Sequence, residues 1–227
     1  MTISSNLAKI NQRIRAAAEK SGREPSSVRL VAVSKTRPAA DVIEAFHAGQ
    51  TVFGENYIQE LTTKLAEVRE PVQWHVIGHL QSNKVKYIAG QVVLIHSVDR
   101  VNLAQEIDRQ WGKLGKTCDV LIQVNISGEA TKSGTTETGA IQLVRECALL
   151  PNIKVQGLMT MPPFFDDPEA ARPFFAELRR LAEVIAAENI AGVNMTELSM
   201  GMSGDFEAAV QEGATLVRVG TAIFGER

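Results

Sequence analysis

The sequence predicts an α/β protein built as a single (β/α)8 TIM barrel with an amino-terminal lead-in helix, and three observations carry that expectation. Eight short β-rich runs alternate with longer stretches of helical spacing, the pattern of repeated βα units around a parallel sheet. The 227 residues suit one such barrel at the short end of its size range. No Gly/Ser linker, charge block or low-complexity tract divides the chain, so residues 1–227 read as one domain.

The lead-in helix comes first. Ile3, Leu7, Ile10 and Ile14 recur at three- and four-residue spacing, and Gly22 with Pro25 ends the pattern. Strands are expected at 28–34, 51–54, 73–78, 92–96, 119–125, 154–159, 197–200 and 215–220. Between them, 39–48, 101–114, 139–149 and 168–187 carry helical spacing, and most exceed the length a parallel crossover needs. Eight units suggest closure. The alternative is an open doubly wound sheet, a fold that usually shows a glycine-rich turn after its first strand. Here that turn is Ser34-Lys35-Thr36-Arg37-Pro38, without a glycine.

Composition excludes several functional classes. With 24 Lys and Arg against 26 Asp and Glu, the net charge is -2, so no basic face for a phosphodiester backbone is implied and nucleic acid is not an expected partner. Cys118 and Cys147 form no CxxC pair, which fits packing thiols in a reducing compartment. The amino terminus lacks a basic region followed by an apolar one, and no apolar run approaches the roughly 18 residues of a membrane span. A soluble, cytoplasmic protein with no membrane partner is the expectation.

In a (β/α)8 barrel functional groups sit at the carboxyl ends of the strands, and the usual phosphate site is made by the loops after strands seven and eight. Those loops are Ser199-Met200-Gly201-Met202-Ser203-Gly204-Asp205 and Gly220-Thr221-Ala222-Ile223-Phe224-Gly225. Glycines admit close backbone approach, and amides with Ser and Thr hydroxyls can donate to a dianionic phosphate. Either loop alone is equally well an ordinary glycine turn with a capping serine; their pairing at the expected place favours a phosphate cup. Lys35 follows the apolar run Leu30-Val31-Ala32-Val33. A lysine there faces desolvation that frees its neutral amine to attack an aldehyde, although a solvated strand-end lysine is the commoner case. Closure places strand eight beside strand one and brings Arg218, Gly220 and Thr221 next to Lys35. Arg218 sits in Leu216-Val217-Arg218-Val219, where it needs a partner, either a salt bridge or a pyridine nitrogen that an arginine keeps unprotonated.

The segments VAVSKTRP, VFGENYIQEL, WHVIGHLQSNK, HSVDR, QVNISGEATKSG, GLMTM, ELSMGMSGDFEAAV and VRVGTAIFG resemble the pyridoxal phosphate homeostasis protein family nearly end to end. The family is related to the amino-terminal domain of alanine racemase. The resemblance implies pyridoxal 5′-phosphate (PLP) held as an internal aldimine on Lys35, with Arg218 facing the pyridine nitrogen and Asn56 near the ring. It also implies phosphate loops formed by Ser199, Gly201 and Ser203 with Gly220 and Thr221. Val76 departs from the phenylalanine expected there. The implied role is homeostasis and delivery of PLP to PLP-requiring apoenzymes, without enzymatic turnover.

Two enzymatic readings stand beside it. A racemase needs an acid or base on both faces of a carbanion; the resemblance implies that alanine racemases take one from a separate domain, and with this sequence ending at Arg227 no such domain is expected. A monomer is expected for the same reason. A Schiff-base lyase acting on a sugar phosphate could use the same lysine and cup, but it needs no cation at a ring nitrogen. Other motifs carry less. On one strand His75 and His79 would lie about 13 Å apart, too far for one metal ion, though His79 could turn towards the mouth. The loop 128–134 lacks the order and spacing of a P-loop, residues 201–205 miss the nucleophile elbow by one position, and Asp166 and Asp167 read as capping residues that open the next helix.

Overall fold

The computed structural model describes residues 2–129 and 131–226. Met1, Ala130 and Arg227 lie outside the described residues, and with them both ends of the expected 1–227 domain and one residue of the loop 128–134. Helix α1 (Ile3–Lys20) turns Leu7, Ile10 and Ile14 inward as the spacing requires. It packs on α7 (Phe206–Gln211) and α8 (Thr221–Phe224), so the lead-in helix closes over the last helices of the chain.

All eight strands form: β1 (Arg29–Val33), β2 (Val52–Glu55), β3 (Gln73–Val76), β4 (Leu94–Val98), β5 (Cys118–Gln123), β6 (Ile153–Met159), β7 (Val193–Ser199) and β8 (Leu216–Val219). They make a closed barrel in sequence order. β1 pairs in parallel with β8, from Arg29 opposite Leu216 to Ala32 opposite Val219. The crossovers carry α2 (Ala39–His47), α3 (Ile58–Glu67), α4 (Val101–Gly112), α5 (Glu137–Cys147) and α6 (Arg172–Ala187), with a 3-10 turn at Ser82–Tyr87 between β3 and β4. β7 starts at Val193, earlier than the expected 197: its first residues Val193-Asn194-Met195-Thr196 alternate apolar and polar, with Val193 and Met195 partly buried against the core.

Side chains alternate across the wall. Leu30, Ala32, Val76, Ile95, Val120, Ile122, Val217 and Val219 belong to the outer core under the helices. Val31, Val52, Leu94, Leu121, Met159 and Leu216 form a second cluster inside the barrel. The same alternation turns His75, His96, Ser199 and Arg218 inward, so a polar layer sits on an apolar one. Cys118 and Cys147 are buried and unpaired. Among the described residues no helix is long and apolar enough to cross a membrane.

Gly157 sits where the β5–β6 and β6–β7 registers shift. Its φ is +155, and a Cβ there would lie 1.8 Å from the Glu197 carbonyl oxygen. Backbone cannot yield as a flexible side chain can. Gly157→Ala is expected to destabilise the fold by about 3 kcal/mol or more, read from the urea midpoint; a change below about 0.5 kcal/mol, the scatter of surface substitutions, would show that the strands can part here at little cost.

Candidate functional site

Lys35 is held on a turn that needs support. Thr36, the next residue, has φ 61, a conformation that costs a β-branched residue of order 1–3 kcal/mol. A buried ionic cluster fixes the backbone on both sides of Lys35. Lys64 Nζ donates to the Ser34 carbonyl (2.6 Å), Glu55 Oε1 (2.5 Å) and Glu60 Oε1 (2.7 Å). Ser34 Oγ donates to Glu55 Oε1 at 2.7 Å, and the Thr36 amide donates to Glu60 Oε1 at 2.6 Å. Glu55 and Lys64 are almost wholly buried, and Glu55 Oε2 has no hydrogen-bond partner. Burial pushes the Glu55 carboxyl above its usual range, with Lys64 and Ser34 pulling the other way.

The mouth of the barrel holds a cavity of about 450 Å³ lined by Lys35, Asn56, Ser203, Arg218, Gly220 and Thr221, among others. Six of the eight residues expected at the site therefore share one cavity. Ser199 and Gly201 lie off its wall. Ser199 is fully buried among β4, β7 and β8. Gly201 has φ +90, and a Cβ on it would lie 2.6 Å from that of Ala209, so it is the turn glycine that lets the loop pack on α7. His79, Gln123, Met161 and Phe164 also line the cavity, and of these only His79 carried a signal in the sequence.

The loops after β7 and β8 meet at one rim. The Thr221 hydroxyl (3.2 Å) and the Gly220 amide (3.4 Å) both donate to Ser203 Oγ. Asp205 Oδ1 accepts from the Met202 amide at 2.6 Å and shapes the turn. Burial raises the Asp205 carboxyl above its usual range, opposed by the Met202 amide and by Arg218. Helix α8 starts at Thr221 directly after this rim, and its Ile223 and Phe224 amides donate back to the Gly220 carbonyl.

Arg218 forms the inner wall. Its Nη1 donates to Ser199 Oγ at 2.6 Å, Nη2 to the Thr160 carbonyl at 2.9 Å, and its amide to the Gly201 carbonyl at 3.0 Å. Among the described residues no carboxylate forms an ion pair with it, so the salt bridge considered from the sequence is not what holds it. Burial pushes its pKa down to about 10, which still leaves a cation at neutral pH. Below it, His96 Nδ1 lies 2.8 Å from Ser199 Oγ, and His96 Nε2 lies 2.9 Å from His75 Nδ1. Burial, then the Arg29 charge, lowers His75 to about 3; burial, then His75, Arg218 and Arg29, lowers His96 well below its usual value.

Both rings are neutral in the fold, whereas in the unfolded chain they protonate near pH 6.5. The unfolded state then binds more protons, so stability is expected to fall by on the order of a few kcal/mol as pH drops from about 6.5 towards 4. The raised carboxyls of Glu55 and Asp205 act in the opposite sense and moderate that loss. Urea midpoints across this range check it; a rising midpoint would mean that the rings take up protons in the fold.

The remaining motifs resolve simply. His79 is exposed and 3.9 Å from Asp99 Oδ2, apart from His75, and no cluster of three or more metal-ligating side chains occurs among the described residues. Asp167 accepts from the Glu169 amide at 3.0 Å and caps the 3-10 turn Pro168–Ala171.

These groups fit a phosphorylated pyridine aldehyde: a primary amine for the carbonyl, a hydroxyl and amide rim for the phosphate, and a buried guanidinium, bonded to neutral oxygens, for a ring nitrogen. A family model described as alanine racemase, N-terminal domain, matches residues 5–227. Fold and site together thus define a barrel of the alanine racemase amino-terminal class. The pyridoxal phosphate homeostasis protein of Aquifex aeolicus is 45% identical over 228 residues, which cover 100% of this chain and 99% of that one. The protein of the same name from Pseudomonas aeruginosa is 46% identical over 227 residues, covering 100% and 96%. The structure of PipY from Synechococcus elongatus, with PLP bound, matches with a TM-score of 0.86 and 36% identity over 99% of this chain and 100% of that one. The chain belongs to the pyridoxal phosphate homeostasis protein family.

Proposed function

We propose that this protein binds PLP covalently through Lys35 and takes part in holding the cofactor and delivering it to PLP-requiring apoenzymes, without turnover of its own. The observation that carries the reading is the convergence of Lys35, Arg218 and the Ser203–Gly220–Thr221 rim on one cavity. The homeostasis name of the relatives and the PLP held by PipY support the same role.

When bound, PLP supplies an electrophilic aldehyde carbon and an electron-withdrawing ring. The residues of this chain do the rest. Lys35 Nζ makes the covalent attachment, while the buried Lys64–Glu55 pair keeps its turn in place. Ser203, Thr221 and the Gly220 amide hold the phosphate. Arg218 stays protonated and gives a neutral ring nitrogen a donor rather than a proton, which weakens the ring as an electron sink. Asn56 flanks the ring. One barrel domain is enough for these roles, and we read the working form as a cytoplasmic monomer, to be checked by light scattering.

The test is to record visible absorption of the purified protein, reduce it with borohydride, locate the modified peptide by mass spectrometry and assay amino-acid turnover. The expected result is a yellow protein with pyridoxyl on Lys35 and no racemisation above free PLP. A colourless protein that gains no adduct from added PLP would overturn the reading and favour a sugar-phosphate lyase; steady turnover would favour a racemase-like enzyme.

A further inference from the structure

The polar layer inside the barrel runs in one direction. Arginine can only donate, so in the 2.6 Å contact Ser199 Oγ is the acceptor. The one proton of Ser199 then goes to its other partner, His96 Nδ1, at 2.8 Å. A neutral His96 with Nδ1 accepting carries its proton on Nε2, which donates to His75 Nδ1 at 2.9 Å. His75 in turn carries its proton on Nε2. Four strands, β8, β7, β4 and β3, are joined by this path across the barrel interior.

Such a layer is costly. Its neighbours inside the barrel are Val31, Leu94, Leu121 and Met159, and well-packed apolar residues in place of buried polar ones are often neutral or stabilising. The path ends on the guanidinium that lines the cavity. The bonds to Ser199 and Thr160 fix the guanidinium plane at both terminal nitrogens.

We propose that Ser199, His96 and His75 are positioning residues: a one-way hydrogen-bond chain that orients Arg218 as the fixed donor for the ring nitrogen of the cofactor. This rests on the PLP reading of the Lys35 cavity. It gives Ser199 a role beneath the ring in place of one in the phosphate loop. The two histidines are held as neutral Nε2–H tautomers, since any other arrangement leaves Ser199 with two donors and no acceptor for its own proton.

The first measurement uses the native protein without cofactor. Isotope-labelled histidine and nitrogen–proton correlation spectra at neutral pH report the tautomers directly; both rings are expected neutral with the proton on Nε2. A proton on His96 Nδ1, or a charged ring, overturns the chain. The second compares Ser199→Ala, His96→Leu and His96→Asn, the last keeping an acceptor near the position of Nδ1. Ser199→Ala and His96→Leu are expected to weaken PLP binding about tenfold in titration and, with PLP saturating and the Lys35 adduct at full stoichiometry, to displace the absorption maximum. His96→Asn is expected to restore both in large part. Native affinity and an unchanged spectrum in all three would reduce the chain to packing and refute the proposal. Should a variant fail to fold, the native tautomers still decide the direction of the chain. Expected tautomers with no Lys35 adduct in the native protein would overturn the PLP reading and, with it, the purpose of the chain; an adduct with the wrong tautomers would overturn the chain alone.

Discussion

Lys35→Ala is expected to abolish the borohydride-stable pyridoxyl label and to weaken PLP binding by about a hundredfold or more, roughly 3 kcal/mol. Lys35 is the amine on the cavity wall beside the Ser203–Gly220–Thr221 rim, and on the proposed reading the phosphate reaches that rim whether or not the aldehyde is captured. The variant is therefore expected to retain weak, reversible affinity, and inorganic phosphate should compete for it. Equilibrium dialysis and mass spectrometry separate the two contributions. A full-stoichiometry label in Lys35→Ala would mean that another lysine carries the attachment and that the turn after β1 is not built for it.

Lys64→Met should cost about 3–5 kcal/mol of folding stability, because it strands Glu55 in the interior with its remaining partner Ser34. Lys64 and Glu55 have side-chain exposures of 4% and 1%, so water cannot replace the lost bond. Part of the loss is recovered when Glu55 takes up a proton, which its raised pKa already favours. The double variant Lys64→Met/Glu55→Gln should then be more stable than Lys64→Met alone, a coupling visible in a double-mutant cycle. Single variants that stay within about 1 kcal/mol of the native protein, and a cycle that closes additively, would show that the cluster is filler. Loosening it should also slow PLP capture by Lys35, since the Ser34 carbonyl loses its lysine donor and Glu60, which accepts from the Thr36 amide, loses the same partner.

The barrel was legible because each strand alternates or runs apolar between breaks, and a parallel sheet of eight units has few ways to end other than closure. Helices α7 and α8 were not specified, since six and four residues are too short to display a helical period. Lys35, Arg218, Gly220 and Thr221 could be placed together from closure alone, since β1 and β8 become neighbours. Glu55 and Lys64 gave no local signal: an acid after Gly54 and a lysine on a helix read as surface, and their pairing depends on α3 folding back onto β2. In the sequence Ser199 reads with the loop that follows it, although strand alternation against Leu198 already turns it inward. The same rule applied to His75 and His96, on adjacent strands, would have found the interior chain.

The two cysteines lie far from all this, Cys118 opening β5 at the end of the barrel opposite the mouth and Cys147 closing α5. Burial raises the Cys118 thiol well above its usual value and the Cys147 thiol to about 12. Thiolates are strong competitors of amines for aldehydes, forming hemithioacetals and, with a neighbouring amine, stable rings. A protein that carries a reactive aldehyde past its own side chains gains chemoselectivity when its soft nucleophiles stay protonated and enclosed. Here the fold leaves the choice of nucleophile to nitrogen.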